Sequence, residues 1–280
     1  MRRHPVLLVL LLLLAAAGCS GDDGGSASTT TAAATPSTPS VTTPDSLPAT
    51  DVTALVYFTR DGKVATAGRA VEPPAVARGA LEALLAGPDE LESSLGMEGA
   101  FPDGTRLIDV TVADGVATVD LSGELLNDVD GPIALRIAQV VFTLTQFPTV
   151  DRVTITIAGA SSPTVGLDQV PVVEVDRSDF EEQIPAILVE QPTPGAAVTS
   201  PIEVTGLSNT FEANVLYEVT GPDGAVLDDG FTTATSGTGT WGTFSLTTDV
   251  DPGDVTLTVF QESAEDGSRT DLYAVPVHVG

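Results

Sequence analysis

Residues Leu107–Ser122 read LIDVTVADGVATVDLS, and the fold follows from them. Two runs of alternating apolar and polar residues flank Asp114-Gly115. Asp-Gly between alternating runs is the strongest short-range hairpin signal, because both central residues of the tight turn need positive φ. The alternation puts Leu107, Asp109 and Thr111 on one side and Ile108, Val110 and Val112 on the other. After the turn, Val116 and Thr118 oppose Ala117 and Val119.

Upstream, ALVYFT (Ala54 to Thr59) is a short β-rich run. Pro73 and Pro74 then open AVARGALEALLAG, where Ala77, Ala80, Leu81, Leu84 and Leu85 fall on one helix face and Gly87-Pro88 ends the pattern. Downstream, Gly131-Pro132 starts PIALRIAQVVFTLTQF. Ile133, Ile137, Val140, Val141 and Leu144 form a helical apolar stripe that Pro148 closes. RVTITIAG (Arg152 to Gly159) is a further strand, and VPVVEV (Val170 to Val175) is a candidate for the last. Strand, helix, hairpin, helix, strand predicts an α+β domain over 51–175, a small sheet covered by two helices.

Beyond Ile187 the helical pattern disappears. ILVEQP, IEVTGL, NVLYEVTG, VLDDGFTTAT, GTFSLTT, VTLTVFQES and DLYAVPVHVG follow one another, punctuated by Gly, Pro, Asn and Asp. Seven short strands at this spacing predict an all-β immunoglobulin-like sandwich over 186–280. Asp176 to Pro185 (DRSDFEEQIP) reads as a linker, 176–185, between two independently folding units.

The start of the chain, MRRHPVLLVLLLLLAAAGCSGDD, has two arginines, an apolar run from Val6 to Leu14, small residues and then Cys19, the single cysteine of the 280 residues. The run is shorter than the ~20 apolar residues a spanning helix needs, and the layout is that of a secretory signal over 1–18. With Cys19 directly after the small residues, the stretch resembles a bacterial lipobox. That resemblance implies that the Cys19 thiol receives diacylglycerol and becomes the first residue of the mature protein. Ala16 stands where the family usually has Leu. A plain secretory signal with an unrelated cysteine is the other reading. Residues 19–50 are rich in Ser, Thr, Ala and Pro and without aromatics; they read as a disordered tether with a reach of roughly 30 Å.

Two longer stretches resemble known families. FPDGTRLIDVTVADGVATVDLSGEL (Phe101 to Leu125), TLTQFPTVDRVTITIAG (Thr143 to Gly159) and ALEALLAGP are similar to the GerMN domain of sporulation and germination proteins. PTPGAAVTSPIEVTGLSNTFEANV, TWGTFSL and DVTLTVFQESAEDGS resemble the immunoglobulin-like domain of bacterial spore germination. The resemblance implies a role in assembly or adhesion at the cell envelope, and brings no catalytic set and no cofactor.

Composition narrows the chemistry. A formal charge of −28 repels nucleic acid and anionic lipid. Hydrophobic residues, at 42%, supply a core without disulfides. His4 belongs to the signal, and His278 sits in the alternating run AVPVHVG, so Cys/His and Ser-His-Asp constellations are not available. Asp120 and Glu124, at the end of the hairpin, are the carboxylates to weigh as a hydrolytic pair; they also suit a structural role at a strand end. DVDPGD (Asp249 to Asp254), NDVDG (Asn127 to Gly131) and EDGSRTD (Glu265 to Asp271) cluster oxygen ligands. None has EF-hand spacing, and Asp and Gly also form turns. Trp241 is either a sandwich residue or an exposed aromatic contact.

The expectation is a non-enzymatic lipoprotein with no catalytic, metal or cofactor site, lipidated at Cys19. It is held on the extracytoplasmic face of the cell membrane and binds or scaffolds envelope proteins or peptidoglycan, with sporulation or germination as one setting. A cell-wall hydrolase and a solute- or cation-binding lipoprotein are the alternatives.

Overall fold

Two Asp-Gly pairs set the N-terminal half. Asp61 and Gly62 have φ of 53° and 71°, and Asp114 and Gly115 have 51° and 81°, so each pair reverses the chain in two residues. The first joins β1 (Val52–Arg60) to β2 (Lys63–Val71), with Arg60 opposite Lys63. β2 was not anticipated from the sequence, although Asp61-Gly62 is the same signal as Asp114-Gly115. The computed structural model describes residues 50–127 and 132–280. The signal, the tether and Cys19 lie outside the described residues.

After β2 come α1 (Val76–Ala86) and the one-turn α2 (Glu90–Ser94). α1 buries Ala80, Leu81 and Leu84 and ends at Gly87, whose φ is +89°. α2 starts with a capping box, in which the Asp89 side chain accepts from Glu92 N while the Glu92 carboxylate accepts from Asp89 N. The second hairpin is β3 (Leu107–Ala113) and β4 (Val116–Leu121), bulged between Leu107 and Asp109. α3 (Ile133–Leu144) crosses over to β5 (Arg152–Ile157), which runs parallel to β4 and gives a sheet of order β3-β4-β5. The expected α+β class is present, with hairpin β1–β2 forming a separate two-stranded sheet.

α3 differs from the apolar stripe expected of it. From Leu135 to Leu144 every residue is buried, Arg136, Gln139 and Thr143 included. Arg136 donates to Leu125 O and Asn127 O; Gln139 and Thr143 are there because β1 has an open edge in the core. Gln139 Nε2 donates to Tyr57 O at 2.8 Å, Tyr57 N donates to Thr143 Oγ1 at 3.2 Å, and the Gln146 amide both accepts from Leu55 N and donates to Leu55 O. Spacings of four and three bring Gln139 and Thr143 of α3, and Gln146 in the turn after it, to the same side. They satisfy backbone groups that would otherwise be buried without partners.

β6 (Thr164–Val165) and β7 (Val170–Pro171) form a small ribbon. The expected strand 170–175 is therefore short, but its end still covers β5: Val153 N and Ile155 N donate to Val175 O and Val172 O at 2.8 Å.

The C-terminal half has the seven expected strands and a short eighth. They are β8 (Ile187–Gln191), β9 (Ala197–Val198), β10 (Ile202–Ser208), β11 (Asn214–Thr220), β12 (Val226–Thr233), β13 (Gly242–Thr248), β14 (Gly253–Glu262) and β15 (Arg269–Val279). Sheets of order β13-β10-β8 and β12-β11-β14-β15-β9 pack as a sandwich. Strict alternation in β10 and β13 buries Ile202, Val204, Phe244 and Leu246 on the inner face of their sheet. At Gly206 a Cβ would lie 2.0 Å from Leu188 O, so the approach of β8 to β10 admits only glycine there.

Asp176 to Pro185, read as the linker, is a packed joint. It forms a 3-10 segment (Arg177–Gln183) with Phe180 buried, followed by buried Ile184. Arg177 Nη1 pairs with Glu190 at 2.7 Å, Nη2 donates to Tyr57 OH at 3.0 Å, and Nε donates to Thr145 Oγ1 at 2.9 Å. On the other side of the hairpin, Tyr273 OH accepts from Thr66 N at 3.1 Å, and the Arg60 guanidinium lies 4.1 Å over the Tyr273 ring. One apolar cluster runs from Val56 through Val140 to Val277. Hairpin β1–β2 sits between the helices and the sandwich, which is why Val56, Tyr57 and Phe58 are all buried: a strand covered on both faces loses its alternation.

Candidate functional site

The carboxylates singled out in the sequence serve the ends of strands. Asp120 Oδ1 accepts from Thr156 Oγ1 and from Gly159 N, each at 2.9 Å, tying β4 to β5 and to the turn beyond it. Glu124 lies in a 3-10 turn (Gly123–Leu126) and faces Arg106 at 3.6 Å. A hydrogen bond from Ser122, followed by its own backbone N–H, holds its carboxyl below the usual range. A general acid needs the opposite shift.

His278 stands opposite Asp254 in the β14–β15 register, with Nδ1 2.7 Å from Asp254 Oδ1 and both side chains mostly exposed. The pair borders a shallow hollow of about 360 Å³ with Leu91, Pro222 and Pro276. Among the acidic turns, Asp266 accepts from Ser268 N and Oγ, and Asp271 accepts from Gln261 Nε2. Asp249 and Asp251 border an open hollow beside Ser200. Of Asn127–Gly131 only Asn127 is described. Among the described residues, no three His, Cys, Asp or Glu side chains converge as a metal would require, and no helix is long and apolar enough to cross a membrane. Trp241 is half-buried against the sandwich core.

What the fold does bring together is an apolar groove of about 440 Å³ where α1 leaves the β3-β4-β5 sheet. Its walls are Pro74 to Arg78, at the start of α1, and Val110 and Val112 of β3. Phe147 to Val150, from the connection between α3 and β5, complete it. β3 is the outermost strand of its sheet. Ala113 and Val116 flank a two-residue turn, so they form a hydrogen-bonded pair, and the non-bonded pairs are Val112 with Ala117 and Val110 with Val119. The N–H and C=O of Val110 and Val112 therefore point away from β4. Their side chains face the groove, and Val112 remains 41% exposed.

The rim is acidic. Arg78 joins Asp109 at 2.8 Å and Glu82 at 3.8 Å. Beyond the hairpin tip, Asp151 lies so close to Gly115 that a Cβ there would meet Oδ2 at 2.6 Å. Sequence reasoning had Val110 and Val112 on the apolar face of β3 but not the groove, because α1, β3 and residues 147–150 meet only in three dimensions.

Residues 54–163 match the family model described as sporulation and spore germination. Residues 186–268 match that of the immunoglobulin-like domain of bacterial spore germination. No curated protein matches the chain. Among solved structures, the tandem GerMN domains of the sporulation protein GerM from Bacillus subtilis align at 18% identity and a TM-score of 0.41, over 82% of this chain and 60% of that one. The first GerMN domain of the same protein aligns at 24% identity and a TM-score of 0.38, over 45% of this chain and 96% of that one. This chain thus spans about three fifths of the tandem structure. By its two family matches, the chain carries a sporulation and spore germination domain over 54–163 followed by an immunoglobulin-like domain of bacterial spore germination over 186–268.

Proposed function

We propose that this is a non-catalytic lipoprotein of the cell envelope. Residues 1–18 are its signal, diacylglycerol on Cys19 anchors it at the extracytoplasmic face of the membrane, and 19–50 are the tether. Residues 51–175 and 186–280 bind envelope proteins or wall polymer as a scaffold, in a setting related to sporulation or germination. The observation that carries this reading is the apolar groove beside the open edge of β3, a surface suited to another chain. The engagement of Asp120 and Glu124 in bonds that hold strand ends supports it. So do the two domain families, whose descriptions name sporulation and germination.

Two measurements test it. Cys19→Ala should release the protein from membranes or leave it unprocessed, and a lipid probe that labelled the variant as strongly as wild type would remove the anchor. Purified protein incubated with peptidoglycan should release no soluble fragments. Release that disappears in Asp120→Asn or Glu124→Gln would replace the scaffold by a wall hydrolase.

A further inference from the structure

In the N-terminal half, groups from other elements bond the edges of β1 and β5 and, at Thr66, that of β2. Gln139, Thr143 and Gln146 cover β1, the Tyr273 hydroxyl meets β2, and the backbone of Val172 and Val175 covers β5. On β3, no hydrogen bond among the described residues reaches the outward N–H or C=O of Val110 or Val112. Folded proteins blunt exposed edges with Lys, Pro or bulges. From Asp109 to Ala113 β3 has no Lys or Pro, and its bulge lies before Asp109.

We propose that β3 accepts an extended segment of a partner protein as a fourth strand. Apolar side chains at alternate positions of that segment enter the groove, and basic side chains occupy the positions between them. This deepens the scaffold reading and rests on it. A residue added opposite Val110 or Val112 projects to the same face as they do, between β3 and the start of α1, where the walls are Pro74, Val76, Phe147 and Pro148. Main-chain bonds supply affinity and the groove supplies selection, as in other strand additions.

Charge chooses the occupant. Asp109, Asp114 and Glu82 lie around this edge, against Arg78, which lines the groove and is already paired with Asp109 and Glu82. The chain's own tether, 20–50, contains no Lys or Arg, and its proline-free stretch, Ser20 to Thr35, has no apolar side chain larger than Ala, so it offers neither the charge nor side chains that fill the groove. A second copy would bring the same acidic rim against itself, in a chain of formal charge −28. A basic strand from another protein meets both requirements.

The test uses the full-length protein in detergent and a labelled peptide of about ten residues alternating Val and Lys. It should bind and protect the Val110 and Val112 amides from hydrogen exchange. Val112→Pro removes the outward N–H without touching a β4 bond, and Val112→Lys sets a charge in the groove. Each should weaken binding about tenfold or more with the circular dichroism spectrum unchanged; if the proline variant unfolds, the lysine variant decides. The proposal is overturned if the peptide does not bind or if a scrambled Val/Lys peptide binds as tightly. Equal binding by an alternating Val/Glu peptide, or indifference to the substitutions, overturns it as well. A concentration-dependent dimer dissolved by Val112→Pro would replace the basic partner by a second copy. Failure here with peptidoglycan left intact overturns strand addition alone, whereas fragment release lost in Asp120→Asn overturns the scaffold reading itself.

Discussion

The Tyr57 hydroxyl donates to Glu190 Oε1 at 2.5 Å, although 133 positions separate them in the chain. Arg177 closes the triangle and lies 4.9 Å over the Phe142 ring. One hydroxyl, one carboxylate and one guanidinium thus join the first strand, the last helix of the N-terminal half, the joint and the first long strand of the sandwich. A flexible hinge at 176–185 is incompatible with this packing.

Arg177→Met should lower stability by about 2–3 kcal/mol, because it strands the Glu190 carboxylate in a site where charge is poorly solvated; partial exposure keeps the loss near the lower end for buried pairs. In wild type, Trp241 fluorescence in the sandwich and far-ultraviolet circular dichroism should follow one coincident urea transition. Two separate transitions would show that the halves fold independently. Trypsin should spare Arg177 in the native protein, since the residue is packed.

Burial pushes the Tyr57 hydroxyl well above its usual value of 10.0, with Arg177 opposing and Glu190 reinforcing the shift. Above about pH 10 the unfolded chain loses this proton while the folded protein keeps it. Folding stability should then fall with rising pH. Absorbance at 295 nm should show Tyr57 ionising together with unfolding, and Tyr57→Phe should remove that part of the alkaline dependence.

Gln146→Leu should cost about 1–3 kcal/mol, since Leu55 N and O both lose their partner at a protected edge. Hydrogen exchange should speed up at Leu55 beyond any change at Val119, which lies in the other sheet. Equal acceleration at both would point to global unfolding instead.

At Gly68 a Cβ would stand 2.6 Å from Thr193 Oγ1. Gly68→Ala should lower the melting temperature, at a cost of about 1–3 kcal/mol. Adding Thr193→Ala should restore part of the loss, because it removes the clashing hydroxyl. No recovery in the double variant would place the strain elsewhere.

Local order in this protein was legible in its residues. Asp114-Gly115 specified a hairpin because few residues other than Gly, Asn and Asp tolerate two successive positive φ values, and Asp61-Gly62 carried the same signal one hairpin earlier. Alternation specified β10 and β13, since period two matches a strand with one buried face. Helical spacing located α1 and α3. The two domain families were recognisable from their strings for the same local reason.

Everything that depends on which faces meet was decided by the tertiary structure. Gln139, Thr143 and Gln146 look like interruptions of an apolar helix until β1 lies beside them with its backbone unpaired. DRSDFEEQIP reads as a polar connection, yet Phe180 is buried and Arg177 binds groups from three other elements. The groove has no single stretch of sequence, because its walls come from residues 74–78, 110–112 and 147–150. Periodicity records how a segment is exposed along its own axis; a site between segments depends on long-range packing, which no local pattern encodes.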